Sequence, residues 1–175
     1  AERADGAGWQ PAPGRDLHVI DLAASPPAVA QTLQIGLQPS GLSINRAGTL
    51  ALVANKAGRS VSVLKIADGR VEACGDVDVG TPVVAVSFSA DGRRAFVVKT
   101  DTHRLGVLHV DESGPVPRVT HDPAEDLTTG LVPFNLVVSP DGALALVVDM
   151  GSPTASDGHA DSVSVVDLLA TPPCV

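Results

Sequence analysis

The 175-residue chain has no tyrosine, one tryptophan (Trp9) and three phenylalanines (Phe88, Phe96, Phe134), so aromatics are 2% of it. Its interior has to be filled by Val, Leu, Ile and Ala, which suit closely stacked strands. Basic charge is also scarce. Twelve Lys and Arg stand against 20 Asp and Glu, for a net charge of −8, and only Arg93-Arg94 forms a basic pair. A binder of phosphate backbones needs a positive stripe, so nucleic acid is not an expected partner, and anionic membranes are disfavoured by the same sign. No apolar run approaches the roughly 18 residues of a membrane-spanning helix. Cysteine is limited to Cys74 and Cys174. They fall in equivalent outer regions of two different repeats, where stacking holds them beyond the roughly 7 Å limit for bridging, so both are expected to be unpaired. Motifs for nucleophiles and cofactors are missing too: there is no GxSxG, no CxxCH, no paired Cys/His cluster and no phosphate-cradling glycine loop.

What the chain does contain is a repeat. Its clearest copy spans Pro133 to Leu168: an apolar run, the turn Ser139-Pro140-Asp141-Gly142, a second run (Leu144 to Val148), a loop, and an alternating third run from Val163. Two short runs flanking Asp-Gly predict a hairpin, with both central residues of a type I′ turn at positive φ. The alternating run recurs at Leu17, Val61 and Leu105, 44 residues apart each time, and then at Val163 after 58. The turn glycines Gly48, Gly92 and Gly142 place six of the 14 extra residues around His121 to Gly130 and eight within Ser152 to Asp161. A period of this length built from short strands signals a propeller blade.

Each unit reads as four strands. The inner ones are Leu42 to Asn45, Val84 to Phe88 and Phe134 to Val138; the second ones are Leu50 to Ala54, Ala95 to Lys99 and Leu144 to Asp149. The outer strands are expected near Val29 to Ile35, Arg70 to Val79 and Pro117 to Thr120. No 3.6-residue period survives the turn signals, so the fold class is all-β: a β-propeller of four-stranded antiparallel blades. Residues 1–16 read as a flexible arm, 17–35 as the end of one blade, 39–79 and 82–120 as two whole blades, and 133–175 as a partial one. That makes about three to three and a half blades, an incomplete ring, since closed propellers have four to eight. The implied partners are further blades of a longer chain or a second copy, and the two end faces are expected to be apolar and uncovered.

The copies Ser139-Pro140-Asp141-Gly142, Ser89-Ala90-Asp91-Gly92, Ala51-Leu52-Val53-Ala54-Asn55 and Val163-Ser164-Val165-Val166-Asp167 resemble the YVTN-type β-propeller repeats of bacterial surface and periplasmic proteins. The resemblance runs from Leu17 onward and departs from the family in having no tyrosine. It implies the N-terminal half of an exported, seven-bladed protein, periplasmic or secreted. A start at Ala1 without Met fits removal of a leader or a trimmed chain equally well.

In such a blade, the outer-to-inner and second-to-third connections emerge on one rim, beside the central channel, where propellers bind ligands. Both insertions are expected there. The rim candidates are Asp101, His103, His121, Asp122, Glu125, Asp126 and Asp149. Within Asp157-Gly158-His159-Ala160-Asp161, the residues Asp157, His159 and Asp161 could hold a divalent metal such as Ca²⁺. The simpler reading of that loop is turn chemistry, with Asp161 capping the strand entry and no cofactor. His18 and His109 share positions with polar residues in the other copies, which reads as solvent-facing slots.

A non-catalytic binding scaffold is therefore the first functional reading. A lactonase-like hydrolase using rim carboxylates and His is the second, and a redox-partner propeller of the quinoprotein dehydrogenase kind is the third.

Overall fold

The computed structural model describes residues 2–4, 9–151, 161–170 and 173. Strand β1 (Glu2–Ala4) pairs with β2 (Trp9–Pro11), so the expected arm contains a short ribbon. Strands β3 (Asp16–Asp21) and β4 (Ala28–Gln34) form the first sheet. The second sheet is a meander of β5 (Pro39–Ile44), β6 (Leu50–Asn55), β7 (Ser60–Ala67) and β8 (Arg70–Asp78). The third comprises β9 (Val83–Phe88), β10 (Arg94–Lys99), β11 (Arg104–Asp111), and an outer strand split into β12 (Arg118–His121) and β13 (Leu127–Thr128). The fourth holds β14 (Pro133–Val138), β15 (Leu144–Asp149) and β16 (Ser162–Asp167). All neighbours pair antiparallel.

Inner strands β5 and β14 both contact β9, so consecutive sheets converge on a common axis, as propeller blades do. The approach is close. A Cβ on Gly41 would stand 2.6 Å from the Val84 carbonyl oxygen and 2.7 Å from Ala85 Cα, so no larger residue fits on β5 without moving the backbone.

The hairpins form where expected, through a different turn. Gly142 N–H donates to Ser139 O and Ser139 N–H to Leu144 O, while only Gly142 of the four has positive φ, +75°. Pro140 at the second position pre-sets φ near −65°, so type I′ is closed to it; the turn is of the type I class with glycine last. Ser139 Oγ donates to Asp141 at 2.5 Å, and Ser89 Oγ to Asp91 at 2.6 Å. The serine hydroxyl, followed by the backbone N–H two residues on, holds each carboxyl below its ordinary range.

Strand alternation divides each sheet into two faces. One face of the second sheet (Leu50, Leu52, Ala54, Val61, Val63) packs on Val83, Val86, Ala95 and Val97 of the third. The third repeats the arrangement, placing Phe96, Val98, Leu105 and Val107 on Ala145, Val147 and Val166. On β15, at positions matching the fully buried Leu50, Leu52 and Ala54, Leu144, Leu146 and Val148 are 39%, 37% and 45% exposed. Val163 and Val165 of β16 are exposed with them. One expected uncovered apolar face is therefore present at the fourth sheet.

Candidate functional site

Two positions recur, in three successive sheets, at the end where the second strand runs into the third. The second strand ends in Asn55, Lys99 or Asp149, which fall on the same strand face as Ala51 and Val53, Ala95 and Val97, or Ala145 and Val147. That face packs on the preceding sheet, so all three polar side chains are buried. Beside them on the third strand stand Ser62, Gly106 and Ser164. The solvent-facing expectation fails for this slot. Ser62 and Gly106 are buried, and only His18, on the two-stranded first sheet, is exposed. Polar residues lie inside here because the neighbouring sheet covers that face and most of their polar atoms are hydrogen-bonded; Asn55 Oδ1, like Asp149 Oδ1, has no partner among the described residues.

In the second sheet Asn55 Nδ2 donates to Ser62 Oγ at 2.9 Å and to Ser60 Oγ at 3.2 Å. Ser62 Oγ donates to Asp76 at 2.6 Å and accepts from Gly36 N–H at 3.1 Å. In the third sheet Lys99 takes the place of asparagine, and glycine at 106 leaves room for an ion pair. Lys99 Nζ meets Asp126 Oδ2 at 2.5 Å, His121 Nε2 meets Asp126 Oδ1 at 2.8 Å, and all three side chains are nearly inaccessible. In the fourth, Asp149 Oδ2 accepts from Ser164 N–H at 3.1 Å and from Ser164 Oγ at 2.7 Å, while Gly130 N–H donates to Ser164 Oγ at 2.9 Å. The other oxygen, Asp149 Oδ1, is buried with no partner among the described residues.

The candidates thus separate into groups. The 122–126 insertion does not build the rim. It interrupts the outer strand of the third sheet, between the pairs Leu108↔His121 and Leu105↔Leu127, so His121, Asp122, Glu125 and Asp126 lie midway along the blade. Counting between turn glycines bounds an insertion without saying which connection holds it. Asp122 accepts from Ala124 N–H and caps the short 3-10 turn Pro123–Glu125. Glu125 pairs with His109 at 2.5 Å on the surface.

Asp101 and His103 do stand on the second-to-third connection. Asp101 is exposed; His103, at φ +55°, accepts from Val132 N–H through Nδ1 at 3.0 Å and from Thr129 N–H through its carbonyl oxygen at 3.1 Å. Gly130 lies against Asp149, where a Cβ would be 2.6 Å from Oδ2. His103 and Asp149 therefore both brace the 129–132 connection. Asp161 is exposed, whereas Asp157 and His159 lie outside the described residues. Among the described residues no group of three or more His, Cys, Asp or Glu is arranged to hold a metal. Cys74 is free, and Cys174 lies outside the described residues.

Lys99 and Gly106 lie outside the sequence-based candidates, although the sequence carries a signal for them: a lysine closes a strand otherwise as apolar as Ala95 to Val98, in the one copy where the serine slot is glycine.

A prediction follows from comparing Asn55 with Asp149. Asn55 donates through Nδ2, whereas Asp149 Oδ2 accepts from both Ser164 N–H and Ser164 Oγ. Asp149→Ala leaves both of these part-buried donors without an acceptor and should destabilise the chain by about 1–3 kcal/mol in urea denaturation; an unchanged midpoint would refute that role for Oδ2.

No family model matches the chain, and no curated protein matches it. Solved structures do. Hydrazine synthase of Kuenenia stuttgartiensis superposes at TM-score 0.69 with 20% identity, over 88% of this chain and 40% of that one. A 6-phosphogluconolactonase-like protein of Bacteroides fragilis gives 0.63 with 19% identity, over 82% and 38%. A Lactobacillus plantarum protein gives 0.66 with 19% identity, over 87% and 44%. The chain spans less than half the length of these structures. At such identities the likeness shows the fold alone: this chain is built of β-propeller blades.

Proposed function

We propose that the chain is a segment of a YVTN-type β-propeller that works as a non-catalytic binding scaffold in an exported protein. The observation that carries this reading is how the acid and base candidates are used. Asp126 is occupied on both oxygens by Lys99 and His121, Glu125 holds His109, Asp122 caps a turn, and His103 Nδ1 accepts from the backbone. A general acid or base needs to reach a substrate proton, and these groups are spent on the fold. A lactonase-like hydrolase is the second reading, favoured by two matched structures described as 6-phosphogluconolactonase-like. In it, exposed Asp101 and Asp161 would act with His103.

Hydrolysis of 6-phosphogluconolactone and of unphosphorylated gluconolactone, with and without Ca²⁺, separates the two. The scaffold reading expects the buffer rate. Turnover that falls at least about tenfold in Asp101→Asn or Asp161→Asn would replace it with the hydrolase.

A further inference from the structure

The turns that join first and second strands in the second, third and fourth sheets come together at the end of the common axis opposite the rim of Asp101 and His103. Between them lies a cavity of about 390 Å³, whose walls include Ser43, Ile44, Arg46, Ser87, Phe88 and Val138. Ser43 and Ser87 hold equivalent places, 44 residues apart, on β5 and β9. The inner strands β5 and β14 both contact β9, so three consecutive sheets supply the walls.

The cavity carries one charge. No Asp or Glu lines it, and Ser89 and Ser139 at its edge give their hydroxyl protons to Asp91 and Asp141. The hydroxyls of Ser43 and Ser87 have no hydrogen-bond partner among the described residues. Arg46 also borders a neighbouring hollow that holds Asp91 and Glu112, yet it forms no ion pair among the described residues. Those carboxylates have other donors: Glu112 accepts from Asn45 Nδ2 at 2.8 Å and Thr49 Oγ1 at 2.7 Å, and Asp91 from Ser89 Oγ at 2.6 Å and Arg93 N–H at 3.1 Å. A guanidinium without a counter-ion therefore stands beside two unused hydroxyls and an apolar wall, the mix of groups that orients a small ligand.

The geometry points to a binding site here for a small monocarboxylate with an apolar tail. Arg46 takes both carboxylate oxygens through its planar fork, Ser43 and Ser87 donate to them, and the tail lies on Ile44, Phe88 and Val138. A single cation in a chain of net charge −8 suits one negative charge better than the two of a phosphate monoester. This goes beyond the scaffold reading by naming a ligand class, and the two fail separately: lactone turnover ends the scaffold and leaves this cavity standing, whereas loss of carboxylate binding ends only the cavity's role.

Amide shifts of the isotope-labelled full chain are followed on titration with hexanoate, acetate, hexylamine and inorganic phosphate at one ionic strength. Hexanoate should bind saturably, shift Ser43 to Arg46, Ser87 to Ala90 and Val138 to Ser139, and bind at least about tenfold tighter than acetate, because its methylenes meet apolar walls. Arg46→Gln should weaken hexanoate at least about tenfold and leave the urea midpoint unchanged, since this exposed side chain holds nothing else in place. Ser43→Ala/Ser87→Ala should weaken it at least about threefold. No saturable shift, tighter binding of phosphate or hexylamine than of hexanoate, undiminished binding in Arg46→Gln, or shifts confined to the rim around His103 and Val132 would overturn the inference.

Discussion

Replacing Lys99 by Met is expected to destabilise the chain by about 3–5 kcal/mol, the usual cost of leaving one member of a buried pair behind. Asp126 would keep His121 at 2.8 Å and lose its partner at 2.5 Å, with its side chain only 2% exposed. Removing both charges is a different matter. In Lys99→Met/Asp126→Leu neither the lysine nor the carboxylate stays behind alone, although His121 Nε2 loses its partner, so part of the loss should be recovered. Urea denaturation of both variants decides it: a single variant within about 1 kcal/mol of wild type, or a double variant worse than the single, would mean that the pair does not hold the outer strand in place.

The second large effect is expected at Phe96. With so few aromatics, this ring is the largest fully buried side chain, set between Val98, Leu105, Ala145 and Val147 where the third and fourth sheets meet. Phe96→Ala leaves a cavity lined by short aliphatic side chains held on paired strands, which collapse poorly around it, so the cost should be about 3–5 kcal/mol. Phe134 is the internal control. It is 53% exposed, and Phe134→Ala should change stability by less than about 0.5 kcal/mol. Similar losses at both rings would refute the assignment of Phe96 to the sheet-to-sheet core.

The strands were legible because their signals are local. The alternation from Leu17, Val61, Leu105 and Val163, with glycine closing each hairpin, needs no knowledge of what packs where, and β3, β7, β11 and β16 follow it. The site was harder to read because its chemistry comes from stacking. Polar alternation usually marks a wet face, yet Ser62 is dry because the preceding sheet covers that side of β7. The pairing of Lys99 with Asp126 joins residues 27 apart in sequence, through an insertion whose place depends on how β11 pairs with β12 and β13. Turn type differs from the expectation for a local reason: Asp141-Gly142 alone points to type I′, and Pro140 before it excludes that geometry.

The glycine amides that close two of the polar nodes have a mechanical corollary. Gly36 and Gly130 belong to segments arriving from the sheet before, so peeling the first sheet away strips a hydrogen bond from the second, and peeling the third strips one from the fourth. The third sheet differs, because its node is closed by its own outer strand and the equivalent amide, Gly80 N–H, is turned to Asp78. In a linear array with nearest-neighbour coupling, the boundary between the second and third sheets is held by other means: Asn45 and Thr49 donate to Glu112 and Lys65 to the Pro115 carbonyl, over the apolar cluster of Leu50, Leu52, Val83 and Val97, so parting these two sheets strips side-chain bonds where the other boundaries lose a backbone one.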